Sequence, residues 1–136
     1  MILVDSNIFM YAAGAAHPNK EPSARLLHRV AEGAVEASTD AEVLQEILHR
    51  YRAIRRWQDG QNVYDLARRI VPAVLPVTAE VLDEARRILD AAPRVMARDA
   101  LHAAVVRLAG VDAICSFDGD FDTIPGIVRK RPQDVA

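Results

Sequence analysis

The chain has 136 residues, 51% of them hydrophobic and 26% charged, and carries a net charge of −2. That length fits one domain burying roughly two-thirds of its unfolded surface, and the composition excludes general disorder; Cys115, the only cysteine, excludes an internal disulfide. No apolar run approaches the ~18 residues of a membrane span and no basic region precedes the apolar start, so a cytoplasmic protein with no membrane attachment is expected.

Ile2, Leu3 and Val4 read as a short strand buried on both faces, because nothing polar alternates with them. Asp5 is the first residue beyond it. Ile8 to Ala16 fits a short helix, followed by the loop His17-Pro18-Asn19-Lys20-Glu21-Pro22 with its two prolines. Leu26, Leu27, Val30 and Ala31 then repeat at helical spacing over Ser23 to Ala34. Val35 to Ser38 is a weak strand candidate. Thr39-Asp40-Ala41-Glu42 matches a capping box, so a helix is expected to start there with Val43, Leu44, Ile47, Leu48, Tyr51 and Ile54 on its apolar face. Asp59-Gly60 ends that pattern, and Gln61 to Val71 forms another amphipathic helix.

Val74-Leu75-Pro76-Val77 is expected to be a strand, at the sheet edge because of its proline. Thr78 can cap the helix carrying Val81, Leu82, Ala85, Ile88 and Leu89. After the break at Pro93, Ala97 to Leu108 resumes a helix that Gly110 terminates. Val111 to Phe117 reads as a strand with a buried Cys115, and Ile127-Val128 as a last short one. Helices alternating with about five short strands predict an α/β fold, a three-layer α/β/α sandwich with a mainly parallel sheet.

In such a sheet, ligands bind beyond the carboxyl ends of the strands. Asp5 and Asp118 each follow an apolar strand, so both belong on that edge. Right-handed connections bring the first turns of the following helices to the same side, where Glu46 and Asp99 lie. Four carboxylates gathered there repel one another unless a cation neutralises them. Oxygen ligands without an accompanying Cys or His pair favour Mg²⁺ or Mn²⁺ over zinc, and such ions serve phosphodiester displacement.

Val4-Asp5-Ser6-Asn7, a Glu within Val43 to Leu48, Arg98-Asp99-Ala100-Leu101-His102-Ala103-Ala104 and Ser116-Phe117-Asp118-Gly119-Asp120-Phe121-Asp122 follow one another along nearly the whole chain. Together they resemble the PIN-domain ribonucleases, in particular the VapC-type toxins of bacterial toxin–antitoxin pairs. The resemblance implies a doubly wound fold, a Mg²⁺- or Mn²⁺-dependent endoribonuclease centre, a homodimer and inhibition by a cognate antitoxin. Asp5, Glu46, Asp99 and Asp118 match the family's acidic quartet, with Asn7 and Ser116 at polar positions supporting it. Phe121 and Ile124-Pro125-Gly126 resemble its closing segment.

Each residue also has a plainer reading. Glu42 and Glu46 share a helical face, but the capping box already accounts for Glu42. Asp99 is also a good N-cap type, and Ser6 or Asn7 can cap the first helix. Asp120 is a candidate for a second metal or a bound water, while Asp122 suits a turn. His102, one turn after Asp99, is read as a structural hydrogen-bonding residue ahead of a substrate contact. Most basic residues are Arg, and His49-Arg50, Arg52 and Arg55-Arg56 form the densest patch. Arg50, Arg52 and Arg98 are the candidates for RNA contact, with a solvated or dimer-facing surface as the competing role. Val63, Leu66 and Ile70 offer only a generic apolar face for a partner.

Two other functions remain open at this point. A haloacid-dehalogenase-like phosphohydrolase would use Asp5 as nucleophile, although Asn7 stands where that family carries a second Asp. A catalytically silent domain would use the fold to bind RNA or protein.

Overall fold

The computed structural model describes residues 1–136. Five parallel strands form one sheet in the order β3-β2-β1-β4-β5. They are β1 (Ile2–Val4), β2 (Ala37–Asp40), β3 (Val74–Leu75), β4 (Ala113–Cys115) and β5 (Arg129–Lys130). Six helices connect them: α1 (Ser6–Ala13), α2 (Lys20–Ala31), α3 (Ala41–Ala53), α4 (Trp57–Ile70), α5 (Ala79–Ala91) and α6 (Ala97–Ala109). No helix is long and apolar enough to cross a membrane.

The chain winds outward from β1 through β2 to β3, then crosses back to β4 and β5 on the other side of β1. Right-handed connections therefore put α1 to α4 on one face and α5 and α6 on the other. The helix contacts divide accordingly: α1 packs on α2, α3 and α4, whereas α5 packs on α6. The winding reverses between β1 and β4, which opens a crevice at their carboxyl ends. Leu3, Val4, Ile114 and Cys115 are fully buried in the two strands beside it. Burial pushes the Cys115 thiol up to about 12, which leaves it an inert packing group.

Several boundaries differ from the sequence reading. Helix α1 begins at Ser6, with Asp5 itself as N-cap, in place of Ser6 or Asn7. Helix α2 begins at Lys20, so Pro22 lies inside its first turn, where a missing N–H costs no helical bond. The capping box is shifted by one: Asp40 caps α3 by accepting from the Val43 N–H at 2.8 Å. Thr39 stays in β2 and its hydroxyl donates to the Val4 carbonyl at 3.1 Å.

Asp59-Gly60 does not end a helix. The break falls at Arg55, whose φ of 58° is left-handed, and Gly60 lies within α4. Strand β2 extends to Asp40, and β5 pairs through Arg129 and Lys130, beyond Ile127-Val128. The last two expectations failed because both strands pair their backbones through polar residues, which hydrophobic alternation cannot reveal. Val63, offered above as part of a generic apolar face for a partner, is buried in the core. The edge position of β3, the Thr78 cap on α5 and the left-handed Gly110 ending α6 are as expected.

Candidate active site

Asp5 follows β1 directly, and its backbone N–H continues the ladder to the Cys115 carbonyl at 3.0 Å. Its carboxylate is buried in the crevice. Oδ1 accepts from the Ser6 N–H at 2.7 Å, and Oδ2 from the Ser116 hydroxyl at 2.6 Å. Asn7 braces the same corner: Nδ2 donates to Ser116 Oγ at 3.0 Å and to Asp5 Oδ2 at 3.4 Å. Ser116 Oγ also accepts from the Asp118 N–H at 3.0 Å, which ties the end of β4 to the end of β1. Both supporting residues named from the sequence thus touch the acid directly.

Glu46, on the second turn of α3, accepts from the Ser6 hydroxyl at 3.0 Å through Oε2. Its Oε1 takes a hydrogen bond from His102 Nε2. Asp99 sits in the first turn of α6 without capping it; the N-cap is Met96. Asp118 precedes a 3-10 turn over Gly119–Thr123 and caps it, accepting from the Asp120 N–H at 2.9 Å. Carboxylate oxygens of Asp99, Asp118 and Asp120 lie within 4.8 Å of one another, as do the ligand atoms of Asp5, Glu46 and His102. The acids thus fall into two groups, Asp5 and Glu46 around His102, and Asp99 with Asp118 and Asp120.

Their electrostatics record the crowding. Burial, then Asp118, Asp5 and Glu46, push the Asp99 carboxyl up to about 7, with His102 opposing. Burial likewise raises Asp5, against the pull of His102 and the Ser116 hydroxyl. For His102, burial disfavours the charge, but the hydrogen bonds its ring donates to Asp40 and Glu46 outweigh it and hold the imidazole well above its usual range. Asp40 is fully buried and was not recognised as part of the site, because its sequence context is explained by helix capping alone.

The remaining candidates separate. Arg50 and Asn7 line one groove of about 310 Å³, together with Tyr11, Tyr51 and Arg56. Arg52 instead lies over the Trp57 ring, 4.2 Å from its centroid. Arg98 is exposed at the start of α6; burial and Glu46 raise the pKa of Glu42, with His102 and, more weakly, Arg98 opposing. Asp122 pairs with Arg129 through both oxygens at 3.0 and 2.9 Å, outside the acid cluster. Lys20 donates to the Gly14 carbonyl, so it is not the lysine that a phosphoaspartate mechanism at Asp5 needs.

An all-oxygen set with one member held near neutrality by burial and by like-charged neighbours fits a hard divalent cation. A parallel sheet that reverses at this acid-lined crevice defines a PIN-type nuclease fold. The chain matches the PIN domain family over residues 2–127. It is 46% identical over 129 residues to Ribonuclease VapC13 of Mycobacterium tuberculosis, covering 95% of this chain and 98% of that protein. The crystal structure of Mycobacterium tuberculosis VapC20, a sarcin-ricin loop cleaving toxin, superposes with a TM-score of 0.77 at 24% identity, over 97% of this chain and all of that one. FitAcB from Neisseria gonorrhoeae superposes with a TM-score of 0.72 at 16% identity, over 99% of this chain and all of that one. The chain belongs to the PIN-domain family and, within it, to the VapC ribonucleases, the toxin members of toxin–antitoxin pairs.

Proposed function

We propose that the protein is an endoribonuclease whose centre is Asp5, Glu46, Asp99 and Asp118 working with Mg²⁺ or Mn²⁺. The observation that carries this is the convergence of acids from the ends of β1 and β4 and from α3 and α6, with Asp99 raised to about 7 by burial and by like charges. A protein keeps such repulsion where a cation relieves it. A hard divalent ion bound there supplies water activation and charge neutralisation at a phosphodiester.

The chain's own residues do the rest. Asp99 and Asp118 offer oxygens to the ion from two elements, and Asp120 adjoins them as a further ligand candidate. Asp5 is oriented by Ser6, Asn7 and Ser116, so its carboxylate cannot swing away. Glu46, locked by Ser6, supports the same centre from α3. Arg50 and Arg98, the latter next to Asp99 in the sequence, are the candidates to hold a phosphate of the strand. A cognate antitoxin and a homodimeric state complete the reading, on the likeness to the VapC proteins.

The test is cleavage of RNA by the purified chain. Cutting is expected with Mg²⁺ or Mn²⁺ and none with chelator. Asp5→Asn and Asp99→Asn are each expected to lower the rate by at least about a hundredfold. Full activity in chelator, or in either variant, would overturn the assignment.

A further inference from the structure

The groove lined by α1, the end of α3 and the turn into α4 has a chemistry that the acids do not share. Its volume of about 310 Å³ lies near the lower end of the range for small-ligand sites. The wall is apolar and aromatic, from Met10, Tyr11, Tyr51 and Ile54, its charged members are Arg50 and Arg56, and no acid lines it. An anionic strand repelled by the carboxylates is attracted here.

Two contacts join this groove to the acidic crevice. Asn7, part of its lining, donates from Nδ2 to Asp5 Oδ2 at 3.4 Å. Tyr11, one turn further along α1, meets Phe117 edge-on with ring centroids 5.3 Å apart, and Phe117 stands between Ser116 and Asp118 in the chain. His17 packs on the same tyrosine, centroids 4.6 Å apart, and is itself fixed by the Asn19 N–H, which donates to its Nδ1 at 3.0 Å. Held by two rings, the half-exposed Tyr11 loses little freedom when a ligand settles against it. Arg56 is paired with Asp59 at 2.7 Å, whereas the exposed Arg50 has no carboxylate partner.

We infer that this groove is a nucleotide subsite: the wall at Tyr11 and Tyr51 takes the flat face of an unpaired base next to the scissile phosphate, and Arg50 takes the phosphate of that nucleotide. This rests on the ribonuclease reading and names the substrate feature it selects. An aromatic wall reaches the face of a base only when that base is unstacked, so the subsite favours single-stranded or looped RNA over duplex. An apolar peptide would leave the Arg50 guanidinium unpaired, which favours a nucleotide over a protein occupant.

Fluorescence anisotropy tests this with the intact chain in chelator, using a short labelled RNA either single-stranded or annealed to its complement. Tyr11→Leu keeps bulk and removes the ring. It is expected to weaken single-strand binding about tenfold or more and duplex binding by no more than about twofold. Tyr11→Phe should restore the affinity to within about threefold. Arg50→Gln should make the salt dependence of single-strand binding shallower, by about 0.7 in the slope of log K against log salt. In Mg²⁺, Tyr11→Leu is expected to raise KM by the same factor as the binding loss, with kcat changing less than about threefold. Equal affinity of the unmodified protein for both RNAs overturns the subsite. So does single-strand binding and KM unaltered in Tyr11→Leu, which leaves the groove to a protein occupant. If Tyr11→Leu does not fold, Arg50→Gln at its exposed position decides, and an unchanged salt slope overturns the inference. Binding that depends on Tyr11 with no cleavage in Mg²⁺ or Mn²⁺ defeats the ribonuclease reading and leaves the subsite standing; cleavage indifferent to Tyr11 does the reverse.

Discussion

Asp99 carries the clearest consequence at the scale of a single residue. Its carboxyl is raised from 3.8 to about 7, so across the acid range a proton and a metal compete for the same oxygens. Apparent Mg²⁺ affinity is therefore expected to rise by up to about tenfold per pH unit below 7 and to level off above it. For the metal-free fold the direction is the opposite. A carboxyl whose folded pKa exceeds its unfolded value favours the fold at low pH, and that contribution is lost as pH rises from about 4 through about 7. Asp99→Asn should flatten the pH dependence of metal binding and, in chelator at pH 8, melt above the unmodified protein. A lower melting temperature there would show that Asp99 is not electrostatically burdened. Asp5, Asp99 and Asp118 stood out because each follows a strand or opens a helix, and Glu46, on the second turn of α3, once capping accounted for Glu42. Asp40 and His102 were not recognised as site members, since a capping box and an Ala-rich helix explain them locally. Only the crossing of α6 over the start of α3 puts Nδ1 beside Oδ2.

At the scale of elements, the turn between α3 and α4 shows how tertiary contact overrides a local signal. Asp59-Gly60 has the composition of a break, yet Gly60 is helical and buried. The reason lies in packing: a Cβ at position 60 would stand 2.6 Å from Tyr51 Cβ and 3.2 Å from its Cγ. The glycine lets α4 approach the end of α3 closely, and the chain turns earlier, at Arg55. Gly60→Ala would gain about 1 kcal/mol of helix propensity, but the clash with a buried ring costs about 1–3 kcal/mol, so a net loss of stability is expected. Thermal unfolding measures it, and a variant melting above the unmodified protein would contradict the close approach. Tyr51 also lines the groove beside Asn7, so RNA cleavage should fall with the packing. Elements with an apolar face were readable from their periodicity. Strands β2 and β5 were placed inexactly because their pairing runs through Ser38, Thr39, Arg129 and Lys130, whose side chains give no alternation.

For the whole molecule, the fold class followed from single short strands alternating with helices, and the sheet order shows why the acids converge. Winding away from β1 and then back across it leaves the ends of β1, β2 and β4 as neighbours, and three of the buried or half-buried acids, Asp5, Asp40 and Asp118, lie at or just beyond those ends. Folding without metal therefore brings like charges from the whole chain together, with His102 relieving one half only. An ion that binds the folded chain and not the unfolded one stabilises it by mass action, about 2.7 kcal/mol at a hundred times its dissociation constant. In a chain of this size that corresponds to a melting temperature roughly 8 °C higher. Saturating Mg²⁺ or Mn²⁺ should produce that rise, chelator should abolish it, and Asp99→Asn combined with Asp118→Asn should remove most of it. If the unmodified protein melts at the same temperature with Mg²⁺, Mn²⁺ and chelator, the acids hold no ion in the folded state, and their convergence would need another cause.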